Sequence, residues 1–477
     1  MSKFNGTNTI KTQNKSGWTA YEMRDKEKLV TQVLTSFFDE PKFYGDNSAE
    51  IEETIKRVIK TDAKFVANLA VFARREFNMR SISHLLVAYL AHEVEGKPYT
   101  RQAVKGVSLR GDDVTEIMAC YIDLFGKPIP NALRKGINDV LQGFDEYTLA
   151  KYKGDKKSVK MRDLLCLCRP KPKTAEQSNM WKRLLEDKLE IPMTWETELS
   201  ANGNNAKTWE KLIDSGKVGY MALLRNLRNI INANPSNIEK VFADIENPEK
   251  VKKSKQLPFR YLSAYKELAD IGSSRVYDVL ENAIEASIDN MPCFDGTTVI
   301  AVDVSGSMGC TISGKSQVRC CEIGFLLGLI ANKICKNSIF FTFSTEIKKI
   351  PVSHKDGILS TATHARCCGG TNMSLPFQKM KGDNIMADRV IIISDNQCNW
   401  GISSVEKRVQ SAADAYRKAT GNDVWVHAID LQGYGTQQFH GAKTNIIAGW
   451  SEKIFDFIKI AEQGEGTLEE AIEQYIY

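Results

Sequence analysis

Long hydrophobic runs are missing from this 477-residue sequence. The longest, such as residues 325–331, fall well short of the roughly 20 residues that cross a bilayer. The opening residues are polar and contain no apolar stretch that would serve as a secretory leader. Membrane insertion and export are therefore not expected, and the expected location is the cytoplasm. A strong net charge is also missing: the chain carries a formal +5. Cysteines are present, eleven of them. An odd count in a chain long enough for several cores argues against a disulfide framework. Cys166/Cys168, Cys320/Cys321 and Cys367/Cys368 are close pairs, but none has a second pair at zinc-ribbon spacing. His364 with Cys367 and Cys368 is the nearest approach to a soft-metal cluster. Reduced thiols are the expected state.

The first 290 residues contain few period-two runs of β-branched residues and show no clean sequence repeat. They do contain helical periodicity. Leu29, Val30, Val33, Leu34 and Phe37 recur at helical spacing, as do Ile51, Ile55, Val58 and Ile59, then Phe65, Val66, Leu69 and Phe72. Turn signals at Gly96-Lys-Pro98, Gly126-Lys-Pro128 and Asn234-Pro235 divide this region into helices of moderate length. Residues 1–17 read as a flexible tail and 18–290 as an all-α domain, either a helical solenoid or an irregular bundle.

From residue 291 the pattern changes. Short apolar segments at 299–302, 339–343, 390–393, 424–429 and 446–448 alternate with helical patterns at 320–336, 374–381 and 404–420. Alternation of this kind predicts an α/β domain over 291–477, a doubly wound parallel sheet with strands buried on both faces.

Ligands of such sheets gather at the carboxyl ends of the strands. The first predicted strand ends in Asp303-Val-Ser305-Gly-Ser307, one carboxylate and two hydroxyls in a single loop. Two later predicted strand ends supply Thr371, after two glycines, and Asp395, directly after 390–393. Oxygen donors of this kind suit a hard divalent cation, most naturally Mg²⁺. The rival use of Asp303 as a phosphoryl-accepting nucleophile would want an acid two residues on, and position 305 is serine.

The positive charge is uneven. Residues 151–173 hold nine basic residues against two acidic ones: Lys151, Lys153, Lys156, Lys157, Lys160, Arg162, Arg169, Lys171 and Lys173. A local patch of this density can be a solvated face or a phosphate-contact surface. A second group, Arg74, Arg75, Arg80 and His84, could line a path for a single strand, or pair with neighbours such as Glu76.

Together the strand-end motifs resemble the metal-ion-dependent adhesion site of von Willebrand A domains. In that family hydroxyls matching Ser305, Ser307 and Thr371 bind the metal, and carboxylates matching Asp303 and Asp395 act directly or through water. The strings Phe72-Ala-Arg-Arg-Glu-Phe-Asn-Met-Arg, Arg162-Asp-Leu-Leu165, Met221-Ala-Leu-Leu-Arg-Asn-Leu227 and Leu257-Pro-Phe-Arg260 resemble the TROVE region of Ro proteins, nearer to bacterial or phage-type members than to animal ones. The resemblance spans nearly all of residues 18–477. It implies a monomeric ring of HEAT-like helical repeats completed by the A-type domain. It further implies a non-enzymatic protein that binds small structured Y-like RNA on its outer surface and 3′ ends of misfolded RNA in a central hole. An exoribonuclease is the implied protein partner; DNA and membranes are not. The chain departs from animal members at Met161 and Cys166, and the acid that often follows Asp395-Asn396 is Gln397 here.

Two other readings follow from the residues. The A-type domain could act as a metal-dependent adhesion module with a passive helical half. A nuclease would need a cluster of carboxylates around one or two ions, and the predicted site has two acids with no evident base.

Overall fold

The computed structural model of the protein describes residues 10–35, 48–154, 157–190, 192–289, 291–311, 316–399, 409–464 and 467–477. Phe37 and Lys156 of the preceding reading lie outside this set. The chain divides into two compact units, residues 25–193 with 469–477, and residues 1–24 with 194–468.

The first unit is helical. Its helices include Asp25–Leu34, Ser48–Arg75, Ser81–His92, Lys97–Val107, Asp113–Phe125, Asn131–Leu141, Glu146–Lys151, Met161–Cys168 and Ala175–Leu185. The expected apolar positions are its core: Leu29, Val33, Ile55, Val58, Ile59, Phe65, Val66 and Leu69 are all buried. The long helix Ser48–Arg75 breaks at Asp62, whose backbone leaves the helical region. Its carboxylate accepts from Phe65 N at 3.0 Å, so Asp62 caps the second segment. Turn chemistry falls where the sequence put it. Pro98 sits in the first turn of Lys97–Val107, where its missing N–H costs nothing. Gly126 ends the helix Asp113–Phe125 at φ +66, a conformation that side chains resist.

In the second unit a six-stranded sheet runs in the order β5-β4-β3-β6-β7-β9. Its strands are β3 (Phe294–Asp303), β4 (Cys335–Phe343), β5 (Ile347–Lys349), β6 (Arg389–Ser394), β7 (Trp425–Asp430) and β9 (Thr444–Ala448). All five predicted strands are present and parallel to their neighbours; β5 adds an antiparallel edge. Strand β6 is buried at every position, as expected of a strand covered on both faces. The helix Cys320–Ile334 packs on the sheet, and Leu375–Gly382 and Val409–Thr420 are the other predicted helices.

Two observations go beyond the sequence reading. Part of the expected tail is ordered: β1 (Lys11–Gln13) pairs with β2 (Thr19–Glu22), which pairs with β8 (Thr436–Gln437) in a small antiparallel sheet. Three short, mostly polar strands leave no apolar signature, and their stability comes from the ladder and from anchoring by Asn14. Compaction also follows a different line from the change of composition near residue 291. Helices of residues 194–289 belong with the sheet. Glu281, on the helix Ser274–Ile288, accepts from Leu359 N and Ser360 N, and Lys266 pairs with the buried Glu322 at 2.7 Å.

Candidate metal centre and basic surface

In the sheet order, β4 lies on one side of β3 and β6 on the other, so the direction of winding reverses at β3. Such a switch point opens a crevice at the carboxyl ends of the strands. The predicted oxygen donors meet there. Asp303, the last residue of β3, is fully buried. One of its oxygens accepts from Ser305 N at 2.8 Å and the other from Ser394 Oγ at 2.5 Å. The Ser305 and Ser307 hydroxyls face each other at 3.2 Å. The loop carrying them is laced to the Thr371 loop by Gly306 N to Gly369 O and Cys368 N to Val304 O, each 2.9 Å. Asn399 ties that loop to the one after β6: its side chain accepts from Thr371 N at 2.7 Å, and its N–H donates to Thr371 O at 3.0 Å. Three loops are thus fixed to one another, chiefly by main-chain bonds, around the Ser305, Ser307 and Thr371 hydroxyls.

The Thr371 hydroxyl is buried and has no hydrogen-bond partner among the described residues. An orphaned donor-acceptor of this kind is costly unless something else occupies it. Burial, reinforced by Asp395, pushes the Asp303 carboxyl up to about 7. Burial likewise raises Asp395, against the opposing pull of Ser307 and Gln397 N. These are the surroundings in which a bound cation would relieve desolvated carboxylates. Among the described residues no three His, Cys, Asp or Glu side chains meet at ligating distance. A metal here would therefore rest on hydroxyls and two acids, not on a carboxylate or thiolate cluster, and His364, Cys367 and Cys368 do not form one.

One acidic residue escaped the sequence reading. Asp430 ends β7, is fully buried, and is held up at about 7 by burial; the main-chain N–H groups of Gln432 and Gly433 oppose this and the Asp395 charge adds to it. One of its oxygens is also without a hydrogen-bond partner among the described residues. Its signal was positional, an acid directly after an apolar strand. The thiols near the site also differ from expectation: Cys321 and Cys367 are joined as a disulfide.

The basic run extends from the end of the helix Glu146–Lys151 across the helix Met161–Cys168 and into the loop after it. Met161, Leu164, Leu165 and Cys168 bury one face, which turns Arg162 outward. Lys151, Lys157, Arg162, Arg169, Lys171 and Lys173 are exposed, and Lys153 and Lys160 half-buried. Lys153 reaches Asp187 at 3.3 Å, and Lys157 pairs with Glu116 and stands 3.8 Å from Asp112. Lys151, Lys160, Arg169, Lys171 and Lys173 enter no ion pair among the described residues. Asn138 and Gln142 donate to the carbonyls of Cys168 and Lys171, which ties the far loop to the neighbouring helix. Arg101 and Lys105, exposed on Lys97–Val107, converge with Lys173 on Asp139. They widen the patch beyond its sequence limits, and their distance along the chain hid them.

The second basic group is spent elsewhere. Arg74 is buried and pairs with Asp113 at 3.1 Å. Arg80 reaches Asp113 at 2.7 Å and Asp112 at 2.9 Å, and the His84 ring lies 3.2 Å from Asp113. Arg75 donates to Gly106 O at 3.0 Å. These contacts hold helices together; Arg74 and His84 are buried by them, while Arg75 and Arg80 stay partly exposed. The partners of all four lie about 30 to 40 residues away, on Asp113–Phe125, just before it, and near the end of Lys97–Val107.

The fold and the two sites define a helical protein with a basic surface and an A-type domain built around a hydroxyl-rich crevice. The TROVE domain model matches residues 38–187 and 176–305, and the Ro60 vWA domain model matches residues 297–431. The chain belongs to the TROVE-domain family and carries its Ro60-type vWA domain. It is similar to RNA-binding protein RO60 of Caenorhabditis elegans, 25% identical over 247 residues, 48% of this chain and 38% of that protein. RNA-binding protein RO60 of Deinococcus radiodurans is 23% identical over 198 residues, 38% of this chain and 37% of that one. Telomerase protein component 1 of Rattus norvegicus is 26% identical over 305 residues, 46% of this chain but 12% of that protein. The chain thus spans a minor part of each relative's length. The crystal structure of the D. radiodurans RO (RSR) protein shares the fold, with a TM-score of 0.62 at 16% identity over 94% of this chain and 99% of that one.

Proposed function

We propose that this chain is a non-enzymatic RNA-binding scaffold. Structured RNA docks on the surface of residues 151–173, and the A-type domain engages a protein partner through a divalent cation. The observation that carries the reading is the set of cations without an ion pair among the described residues, Lys151, Arg169, Lys171 and Lys173 exposed and Lys160 half-buried, in a family whose relatives are named RNA-binding proteins. Phosphate contacts from such side chains give affinity with little base selection and a steep dependence on salt. Double-stranded RNA is read largely by shape and backbone, so a surface of this kind suits a small folded RNA of the Y-like class. The 3′ ends of misfolded RNA are the second ligand the resemblance implies, and an exoribonuclease the protein partner. The contacts of Arg74, Arg80 and His84 with Asp113 lend no support to a single-strand path at that group, and the reading rests on the 151–173 surface.

In the A-type domain Ser305, Ser307 and Thr371 would hold Mg²⁺, with Asp303 and Asp395 compensating its charge. When bound, the ion supplies a positive point that an acidic side chain of a partner completes. The orphaned Thr371 hydroxyl supports this assignment.

The test is a salt titration of binding to a small hairpin RNA. Lys160→Glu with Lys171→Glu and Lys173→Glu should weaken binding by about ten- to a hundred-fold and flatten the log–log salt slope by about 2 to 3. Lys157→Glu should do less, because Glu116 and Asp112 already share its charge. An unchanged slope in the triple variant removes this surface from the proposal.

A further inference from the structure

Beyond the crevice, two cysteines that neither the basic surface nor the metal reading uses stand together at the start of the helix Cys320–Ile334. Cys310 and Cys320 have their sulfurs 3.4 Å apart. They are cross-strand neighbours: Thr311 and Arg319 form an antiparallel bridge, and Cys320 N donates to Cys310 O at 2.9 Å. Directly opposed antiparallel residues stand about 4.5–5.5 Å apart at Cα, inside the span a disulfide bridges. The backbone pairing brings the two sulfurs into contact. Exposure is unequal, with Cys310 exposed and Cys320 buried. A third segment converges on the pair, since Gln432 Nε2 donates to Cys320 Sγ and reaches Cys310 Sγ at 3.6 Å. The next residue, Cys321, is bonded to Cys367.

We propose that Cys310 and Cys320 are a reversible oxidation site, in which Cys310 takes the oxidant and Cys320 resolves it. The oxidant class is a hydroperoxide. The Cys310 sulfur attacks a peroxide oxygen, the O–O bond breaks, and the products are a sulfenic acid and, for hydrogen peroxide, water. The Cys320 sulfur then displaces the sulfenic oxygen, the S–S bond forms, and a second water leaves with the thiol proton. Two thiols lose two electrons and two protons, and one peroxide becomes two waters. An exposed sulfur beside a shielded one is the arrangement this order requires. The cross-link would fix the end of the Asp303–Ser307 loop to the first turn of the helix Cys320–Ile334. Cys321–Cys367 fastens the same turn to the segment four residues before Thr371. The inference depends on neither the RNA nor the metal assignment.

Peptide mapping of the full chain, after graded hydrogen peroxide and alkylation, tests it. Cys166 is exposed on Met161–Cys168 and serves as the internal control for access. The expected result is a Cys310–Cys320 cross-linked peptide at peroxide doses that leave roughly nine-tenths of Cys166 alkylatable, reversed by a dithiol reductant. In Cys320→Ser, Cys310 should stop at a sulfenic acid that a dimedone probe traps; in Cys310→Ser, Cys320 should stay reduced. Oxidation of Cys310 no faster than Cys166 overturns the proposal. So does a Cys310 that accumulates as sulfenic acid in the unaltered chain, or that pairs with another cysteine.

Discussion

Asp113 has one carboxylate and at least five groups directed at it: Arg74, Arg80, His84 and the main-chain N–H groups of Leu109 and Arg110 at 2.9 and 2.8 Å. Burial alone would raise its pKa, but the His84 contact and the Arg74 and Arg80 charges outweigh that and hold it far below the usual carboxylate range. Burial keeps the His84 ring below its ordinary value, against the pull of Asp113. Removing the charge leaves the buried Arg74 guanidinium without its carboxylate and Arg80 with Asp112 alone. Asp113→Asn should therefore cost about 3–5 kcal/mol, read as a drop in Tm on the order of 10 °C. The sign of the pH effect follows from the depressed pKa. Stability from Asp113 is present in full above the unfolded value near 4 and is lost as pH falls below it. The difference in Tm between the original chain and Asp113→Asn should narrow steadily on acidification below pH 4. A constant gap would mean that the carboxylate's charge is not what the cluster uses. At this scale the sequence was legible where chemistry is local. Asp303, Ser305 and Ser307 share one loop, so their spacing alone announced a site. Arg74 and Arg80 share a stretch too, but the group that decides their role is an aspartate some three dozen residues on, which no spacing rule encodes.

Elements with a buried apolar face could be read, and those without one could not. Strand β6 is apolar through Val390, Ile391, Ile392 and Ile393, and it appeared where the pattern put it. The edge strand β5, with Lys348 and Lys349 exposed, and the small sheet of β1, β2 and β8 offer no such run. The hairpin of β1 and β2 nevertheless reaches the crevice. In its turn, Asn14 Nδ2 donates to Cys398 O at 2.7 Å and Lys15 N donates to Gln397 Oε1 at 2.8 Å. Gln397, where related A domains often have an acid, thus serves as an acceptor for the hairpin. The loop it belongs to also bears Asp395, so the hairpin bears on the order of that carboxylate. Deleting residues 1–17 should reduce the rise in Tm that millimolar Mg²⁺ gives the chelator-treated protein by at least half, with hairpin-RNA affinity unchanged within about two-fold. A Mg²⁺ response equal to that of the full chain would show that the loop after β6 holds its shape without the hairpin.

At the scale of the molecule, the two surfaces lie in different compact units, the basic patch in residues 25–193 and the crevice in residues 194–468. Their chemistries also differ in kind. Phosphate contacts act through diffuse charge that salt screens, whereas a cation completed by a partner's carboxylate acts through coordination in a buried site. Changes in one should therefore leave the other's readout alone, and the pair of substitution sets tests this as a cycle. Ser305→Ala with Thr371→Ala should abolish the Mg²⁺-dependent rise in Tm while hairpin-RNA affinity and its salt slope stay within about two-fold of the original. Lys160→Glu with Lys171→Glu and Lys173→Glu should give the converse, weakened RNA binding and a full Mg²⁺ response. The combined variant should show both losses, additive to within about 0.5 kcal/mol. A larger coupling would mean that RNA and metal act on a shared conformational equilibrium, since binding at one site can alter the other only through states that both distinguish. Strict additivity would instead support a scaffold that holds an RNA and a protein independently, and makes them neighbours by being one chain.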